Sequence, residues 1–214
     1  LSDLKENLLT MGGLVEKAIN KAITALGERN DELAAAVIAN DDEVDNQELM
    51  IDELCLKILA LRQPAARDLR FITTAIKVNY DLERIGDMAV NICERVQELN
   101  AEPQLKPYVD LPRMADLVQQ MLTQSLSAFV NANPDLAWQV IRHDEEVDRL
   151  HNQIFRDLLD FMTRDFSTVT RSTRLLFISK YLERIADHAV NIAELVIFMA
   201  QGKIVRHLRD NKGE

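Results

Sequence analysis

The sequence predicts an all-α fold made of two tandem antiparallel three-helix bundles that are related by internal duplication. Six glycines and five prolines among 214 residues leave a composition that favours helices. Apolar residues recur at helical spacing along most of the chain. Two passages are repeated in order: Asn79–Ile92 (NYDLERIGDMAVNI) returns as Ser179–Ile192, and Val37–Asp45 (VIANDDEVD) returns as Val140–Asp148. A repeat of this length predicts two similar bundles.

The first predicted bundle covers residues 1–100 and contains three helices. Gly27 is predicted to stop the first helix, Asn30 or Asp31 to cap the second, and Pro64 to separate the second helix from the third. The stretch Met11–Gly13 (MGG) lowers helix stability locally but need not end the first helix. The three helices are therefore placed at about 2–26, 31–62 and 65–99.

The second predicted bundle covers residues 113–203. The stretch before it, NAEPQLKPYVDLP, contains three prolines and is not expected to form one helix, so residues 101–112 are assigned to a linker. Asn131–Asp135 (NANPD) predicts a turn, and Ser167 or Thr168 is expected to open the last helix. The helices are placed at about 113–130, 135–165 and 168–202. Residues 204–214 are expected to form a polar, frayed tail.

Charge and cysteine content exclude several classes of protein. The formal net charge is −10, and no long basic stretch interrupts it, which argues against binding to nucleic acid or to an anionic membrane surface. Cys55 and Cys93 lie in helical patterns and are expected to be reduced core thiols. Neither a signal peptide nor an apolar run of about eighteen residues is found, so we expect a cytoplasmic protein without membrane insertion.

Acidic residues form matched rows in both halves, and a bundle core does not explain them. The core stripe is supplied instead by apolar residues such as Leu82 and Ile85, repeated as Leu182 and Ile185. The acids stand one turn apart on adjacent antiparallel helices, so that four or more carboxylates would converge in each half. In chain order, the paired acids are Asp41 and Asp45, Glu83 and Asp87, Asp144 and Asp148, and Glu183 and Asp187.

Converging carboxylates indicate a cation site. Such a cluster is costly until a multivalent cation neutralises it, and oxygen ligands suit Mg²⁺, Ca²⁺, Mn²⁺ or ferric iron. Carboxylates also bridge ions, so a multinuclear site is possible in principle. One turn beyond Asp45 and Asp148 stand Glu48 and His151. His151 and His188 would therefore add nitrogen ligands in the second half only.

Two other interpretations of the acidic rows remain open. The acids could simply face solvent, with Arg84 and Arg184 neutralising them. Alternatively, the chain could be a metal store or metalloenzyme of the ferritin-like di-iron type, which needs Glu-x-x-His on two helices. Only Asp148–His151 (DRLH) comes near that pattern, and its counterpart ends in Glu48. Because the pattern fails in one half, a di-iron protein is ranked below a regulatory binding protein as the predicted function.

Four passages resemble the PhoU family of regulators of bacterial phosphate uptake: Asp41–Asp45 (DDEVD), Gln63–Ile72 (QPAARDLRFI), Asp81–Ile92 (DLERIGDMAVNI) and Tyr181–Ile192 (YLERIADHAVNI). The resemblance covers essentially the whole chain and implies two three-helix bundles. It also implies multinuclear metal clusters on the bundle surfaces, with iron first and zinc, manganese or magnesium as alternatives. By this resemblance the metal ligands are Glu83, Asp87, Glu183 and Asp187, supported by Asp41, Asp45, Asp144 and Asp148.

The same resemblance implies a regulatory adaptor and not an enzyme. Such a protein restrains phosphate uptake and the phosphate-starvation response by contact with the ATPase of the phosphate ABC transporter and with a sensor histidine kinase at the inner membrane. Arg67 and Arg70, which follow Pro64, are candidate contacts for a partner, although they could also only solvate the start of a helix. The second half reads TRDFSTVTRSTR from Thr163 and departs from this pattern. A homodimer is expected, because long helices offer flat faces.

Overall fold

A computed structural model of the protein describes residues 1–62 and 64–202. Within these residues the chain forms seven α-helices and one 3₁₀ turn, and it contains no strand. The helices are α1 (Ser2–Glu28), α2 (Asp31–Ala39), α3 (Asp41–Arg62), α4 (Ala66–Asn100), α5 (Asp110–Asn131), α6 (Pro134–Arg164) and α7 (Val169–Gln201), and the 3₁₀ turn (Phe166–Thr168) precedes α7.

The helices form two three-helix bundles that lie side by side, which confirms the predicted fold class. The first bundle consists of α1, the α2–α3 pair and α4, and the second consists of α5, α6 and α7. The bundles meet where α4 packs on α7 and α1 packs on α5. Apolar residues at helical spacing, among them Leu82, Ile85, Leu182 and Ile185, are fully buried and belong to one continuous core. Burial of each such side chain contributes about 1.5–3 kcal/mol.

One predicted helix is broken in the structure. The segment 31–62 was expected to be continuous, but α2 ends at Ala39 and α3 begins at Asp41. Asn40 closes α2, since its backbone N–H bonds to the carbonyls of Val37 and Ile38. Three acids, Asp41 to Glu43, then occupy the first turn of α3. Negative charge at a new helix N-terminus is favourable, and the break provides such a terminus.

The turn after the first helix is the same in both bundles. Arg29 and Ala132 adopt left-handed backbone conformations, with φ of 54° and 49°, and close α1 and α5. Asn30 and Asn133 follow, and their side chains accept backbone N–H bonds at the start of α2 and α6. Asn30 is therefore the cap that the sequence predicted. The prediction that Gly27 stops α1 is wrong, because the left-handed position falls on Arg29.

The predicted linker of residues 101–112 extends too far. Its last residues, from Asp110, belong to α5, and Pro112 lies in the first helical turn. Proline is tolerated there because backbone N–H groups of the first turn have no partner within the helix. The division into separate domains at 1–100 and 113–203 stays a prediction.

Further expectations concern the end of the last helix, the two cysteines, membrane-spanning helices and the C-terminal tail. The last helix ends close to Gly202, which caps α7 with φ of 68°. Cys55 and Cys93 are buried free thiols, as expected. Within the described part of the chain, no helix combines the length and apolar character needed to cross a membrane. The tail predicted at residues 204–214 lies outside the described residues.

Candidate metal centres on the two bundles

The first acidic cluster lies between α3 and α4 and comprises the two predicted acid pairs together with two further acids: Asp41, Asp45, Glu48, Asp52, Glu83 and Asp87. A glycine allows the two helices to come close at one end of this cluster. A Cβ atom added to Gly86 would lie 3.2 Å from Val44 Cγ1 and 3.8 Å from Asp41 Oδ1. The first distance is shorter than an ordinary contact, so a larger residue would push α3 away from α4.

A buried asparagine holds the two helices at the other end of the first acidic cluster. The Asn79 side chain on α4 donates to the backbone carbonyl of Glu48 at 2.9 Å and to Asp52 Oδ1 at 3.0 Å. Both acceptors belong to α3, so this amide fixes the register between the helices. Sequence reasoning missed Asn79 and Asp52. The available signal was a polar residue one turn before Leu82 on the core stripe, repeated in the second half as Ser179.

The acids on the two helices lie close enough to perturb each other. Partial burial raises the pKa of Glu83 to about 7, helped by Asp87 on its own helix and by Glu48 and Asp45 on α3, and Arg84 opposes the increase. The pKa of Asp41 is raised by partial burial and then by neighbouring acids that include Asp87 on α4. Since these effects act across the helix pair, the structure brings the predicted α3 and α4 rows together.

Among the residues that the structure describes, a single ion pair involves an acid of the first acidic cluster. Arg84 Nη1 donates to Asp87 Oδ2 at 2.6 Å, and both side chains are partly exposed. One guanidinium cannot neutralise five other carboxylates, and the pKa of Glu48 is also raised, by burial first and then by Asp52 and Asp45. The arrangement therefore carries excess negative charge, which favours either protons or a bound cation.

The second acidic cluster lies between α6 and α7 and comprises Asp144, Asp148, His151, Glu183 and Asp187. The orientation of its histidine is fixed by a buried residue, because His151 Nδ1 forms a hydrogen bond of 2.8 Å with the Ser179 hydroxyl. Burial lowers the pKa of His151, and Glu183 acts in the opposite direction. This bond leaves Nε2 as the free nitrogen of the ring.

The pKa of Asp187 reflects the burial and the close spacing of carboxylates in the second acidic cluster. Although its own side chain is exposed, the surrounding protein raises its pKa to about 6 by desolvation, and Glu183 and Asp144 add to the increase. Asp144 is almost fully buried. The ion pair here is made by Lys180 and Glu183, at 2.6 Å. In the alternative interpretation, in which these acids only face solvent, Arg184 would neutralise them. Arg184 is exposed, and the cation paired with Glu183 is Lys180.

One predicted ligand of the second half points elsewhere. His188 Nδ1 lies 2.8 Å from Oδ1 of Asp81, a buried residue of α4, and Asn191 also donates to this oxygen. His188 follows Asp187 by one residue, which rotates it about 100° round the helix and toward the first bundle. It therefore joins the two bundles and does not add nitrogen to the second acidic cluster.

The donor set of both clusters fits a hard cation in chemistry and charge. Carboxylates dominate, and burial, together with the neighbouring acids, raises the pKa of Glu83 and of Asp187. As the side chains stand, no three His, Cys, Asp or Glu residues among 1–62 and 64–202 are gathered closely enough to hold a metal ion. Metal binding by the eight predicted acids stays a prediction.

Comparison with known proteins covers both bundles. The family described as the PhoU domain matches twice, at residues 8–96 and 111–196. A Pseudomonas aeruginosa protein described as a phosphate-specific transport system accessory protein PhoU homolog is 42% identical over 97% of this chain and 86% of its own length.

Solved structures agree with this match. The crystal structure of PhoU from Pseudomonas aeruginosa superposes with a TM-score of 0.91 at 42% identity, covering 95% of this chain and 98% of that one. The phosphate transport system regulatory protein PhoU from Streptococcus pneumoniae gives a TM-score of 0.89 at 29% identity, covering 95% and 96% of the two chains. Both halves of the fold, with the helices that carry the acidic clusters, are therefore those of a known family, and this chain belongs to the PhoU family.

Proposed function

We propose that this protein is a regulatory adaptor of phosphate transport, one that negatively regulates phosphate uptake and the phosphate-starvation response. The observation that carries the proposal is the double PhoU match, together with a relative that is described as an accessory protein of phosphate-specific transport over 97% of this chain. The proposed partners are the ATPase of the phosphate ABC transporter and the sensor histidine kinase, both contacted at the cytoplasmic face of the inner membrane.

The contact between Ser179 and His151 supports an adaptor and not a hydrolase. Ser179 is fully buried, and besides His151 its hydroxyl contacts the Met114 sulfur at 3.6 Å. A nucleophile needs a substrate within reach, and no solvent reaches this hydroxyl. The pair instead fixes α6 against α7, as Asn79 fixes α3 against α4.

We further propose that each acidic cluster binds metal, with iron first and zinc, manganese or magnesium as alternatives. Glu83 and Asp87 would hold the ions of the first bundle with Asp41 and Asp45, and the corresponding residues of the second bundle are Glu183, Asp187, Asp144 and Asp148. A bound cation would supply positive charge that crosslinks neighbouring helices. The support is the gathering of acids around Glu83, whose pKa is raised to about 7 by partial burial first and then by Asp87, Glu48 and Asp45, with Arg84 opposing.

We also propose a cytoplasmic homodimer. Helix α3 exposes apolar side chains to solvent, with Leu49, Leu56 and Leu61 each more than half exposed. Apolar groups clustered on one helix are typical of a surface that another protein covers. Sedimentation equilibrium of the purified protein tests this part, and a monomer at micromolar concentration would contradict it.

A deletion strain tests the regulatory role directly. Without the adaptor, the phosphate-starvation response should stay switched on in high phosphate, as read from a reporter promoter. Copurification with the transporter ATPase and with the kinase, in high and low phosphate, tests the contacts separately. A reporter that shuts off normally in the deletion strain would overturn the regulatory proposal.

A further inference from the structure

The two long helices α4 and α7 run antiparallel, and their two ends differ in charge. At one end, which we call the closed end, the C-terminus of α4 meets the N-terminus of α7. Arg174 Nε pairs there with Glu98 Oε2 at 2.9 Å, and its Nη1 binds Glu102. Arg171 lies 3.6 Å from the same Glu102 carboxylate. Both arginines are mostly buried, and each has an acid opposite it.

A third arginine completes the closed end. Arg29, which follows α1, donates to the backbone carbonyls of Asn100 at 2.8 Å and Glu102 at 2.6 Å. These carbonyls belong to the last turn of α4 and the residues after it, which lack partners within the helix. The closed end is thus filled with side chains, and Arg171 and Arg174 are paired there with acids of the same chain.

At the other end, which we call the open end, the N-terminus of α4 meets the C-terminus of α7. Internal duplication makes the two ends comparable residue by residue, through the repeated motifs and the shared Asn30 and Asn133 caps. The counterparts of Glu98, Glu102 and Arg29 are Phe198, Gly202 and Ala132. Neither glutamate has an acidic counterpart, and Ala132, the counterpart of Arg29, lines a cavity of about 610 Å³ at this end.

Three cations line this cavity over an apolar floor. The principal lining residues are Lys5, Arg67, Arg70, Phe71, Phe129 and Met199. The Phe71 and Phe129 rings stack with centroids 5.1 Å apart. Lys5 Nζ lies 5.5 Å from the centre of the Phe71 ring and donates to the Val130 carbonyl at 2.7 Å. These two contacts fix the Lys5 ammonium group in the lining of the cavity.

The cations of the open end have no acid opposite them in the described chain. No ion pair of residues 1–62 and 64–202 includes Lys5, Arg67 or Arg70, and Asp68 is the one acid that lines the cavity. A Cβ atom added to Gly202 would lie 3.6 Å from Arg70 Nη1. The guanidinium therefore lies beside the residue that corresponds to Glu102. This positive site belongs to a protein of net charge −10.

We propose that the open end is a docking site for a helical segment of a partner protein that carries two carboxylates one turn apart and an adjacent apolar side chain. The closed end is the internal template, since Glu98 in the last turn of α4 and Glu102, two residues beyond the end of that helix, both pair with arginines. The carboxylates would bind Arg67 and Arg70, and the apolar group would cover Phe71 and Met199. This inference deepens the proposed adaptor role and rests on it for the identity of the partner.

A designed peptide tests the proposal without knowledge of that partner. The probe is an alanine-based, end-capped helix with two glutamates four residues apart and one leucine on the same face, and its control has glutamine at both positions. Binding to the full chain is measured by fluorescence anisotropy at two salt concentrations. The glutamate peptide should bind, the glutamine peptide should bind about tenfold more weakly or worse, and added salt should weaken the first interaction.

Three variants of the protein locate the site. Arg67→Ala with Arg70→Ala should weaken the glutamate peptide by about tenfold or more. Arg149→Ala with Arg156→Ala is the matched control, because these exposed arginines line a different cavity, of about 560 Å³, on α6. This control should bind the peptide like wild type. Ala200→Glu places an acid of the chain itself in the open end and should compete with the peptide.

Several results would overturn the assignment. Equal binding of the glutamate and glutamine peptides would remove the electrostatic basis, and wild-type affinity in the Arg67 and Arg70 variant would place the peptide elsewhere. If pyrophosphate or anionic vesicles bind with the same arginine dependence while the peptide does not, the occupant is a free anion or a lipid surface and not a partner helix. The reporter in the deletion strain is independent: peptide binding with a normal reporter would keep the docking site and reject the adaptor role.

Discussion

The two bundles carry the same acid pairs in different surroundings. In the first bundle, α3 and α4 are joined by Asn79, and the row continues into the carboxylates of Glu48 and Asp52. At the corresponding place in the second bundle, α6 and α7 are joined by His151 and Ser179. The first cluster is therefore rich in oxygen donors, whereas the second offers one oriented imidazole nitrogen. The acid pairs are repeated in both bundles, but the residues around them differ, so the two clusters offer different donor atoms.

The strongest test of the comparison concerns what the bundles share. Ile85 and Ile185 are both fully buried at equivalent core positions. Each alanine substitution should lower the free energy of unfolding by about 2–5 kcal/mol, because it removes buried methylene groups and leaves a cavity. Urea unfolding of the two variants measures this. A cost below about 1 kcal/mol for only one of them would show that the two halves of the core are packed unequally.

Metal should stabilise both bundles, and acid substitutions should separate the two contributions. With free metal a hundredfold above its dissociation constant, a site stabilises the protein by about 2.7 kcal/mol. The double substitution Glu83→Ala with Asp87→Ala should abolish the metal-dependent stabilisation of the first bundle. The double substitution Glu183→Ala with Asp187→Ala should abolish that of the second bundle. Melting curves with and without chelator, together with elemental analysis, measure these effects.

The outcome for the wild type decides whether metal is bound at all. In chelator, either double substitution could raise stability, because it relieves repulsion among the remaining carboxylates. If wild-type protein holds no stoichiometric metal under any loading condition and melts identically with and without chelator, the acidic rows are only solvated surfaces.

The two ends of the α4–α7 pair should respond differently to loss of an arginine. Although Arg95 stays beside Glu98 and Arg171 beside Glu102, Arg174→Ala removes the mostly buried partner that the two acids share and should cost about 1.5–3 kcal/mol. Arg70→Ala removes an exposed side chain that makes no ion pair in the described chain, so it should change stability by less than about 0.5 kcal/mol. Thermal melts of both variants measure the difference. Equal costs would mean that the open end is already satisfied within the chain.

A pH dependence of stability should also distinguish the two clusters in metal-free protein. The pKa of Glu83 is raised from 4.5 to about 7, so the folded state keeps a proton that the unfolded state releases. The resulting stability is fully present below pH 4.5 and is lost as the pH rises to about 7. For Asp187 the corresponding window runs from 3.8 to about 6.

Amide substitutions should remove each window separately. Glu83→Gln should flatten the stability curve mainly near neutral pH, and Asp187→Asn mainly at more acidic pH, because an amide does not titrate. Urea unfolding in chelator across this range provides the measurement. Variants that keep the wild-type slope would show that other groups cause the pH dependence.

Much of this molecule could be predicted from local sequence. Asn30 caps a helix, the core stripe through Leu82 and Ile85 is buried, and the repeated motifs give two bundles. These features depend on residues within one or two helical turns, so short-range pattern and propensity determine them. The break at Asn40 was missed, since the same residues are compatible with a continuous helix.

The acidic clusters were predictable only in part. Pairs such as Glu83 and Asp87 are set by helical spacing, and the sequence indicated that a second row would face them. That Asn79 reaches Asp52, or that His188 turns toward Asp81, depends on the rotation and register of one helix against another. Those quantities follow from how whole faces pack, which no window of sequence contains.

The sequence by itself determined the helices, the duplication and the positions of the paired acids, because each of these is written in residues close together in the chain. Only the tertiary structure decided which charges are balanced. Arg174 meets Glu98 and Glu102, whereas Arg70 lies beside Gly202, although the two ends are related by the same duplication. Coulomb energy falls with distance and rises with burial, so the value of a charge depends on neighbours that are remote in sequence.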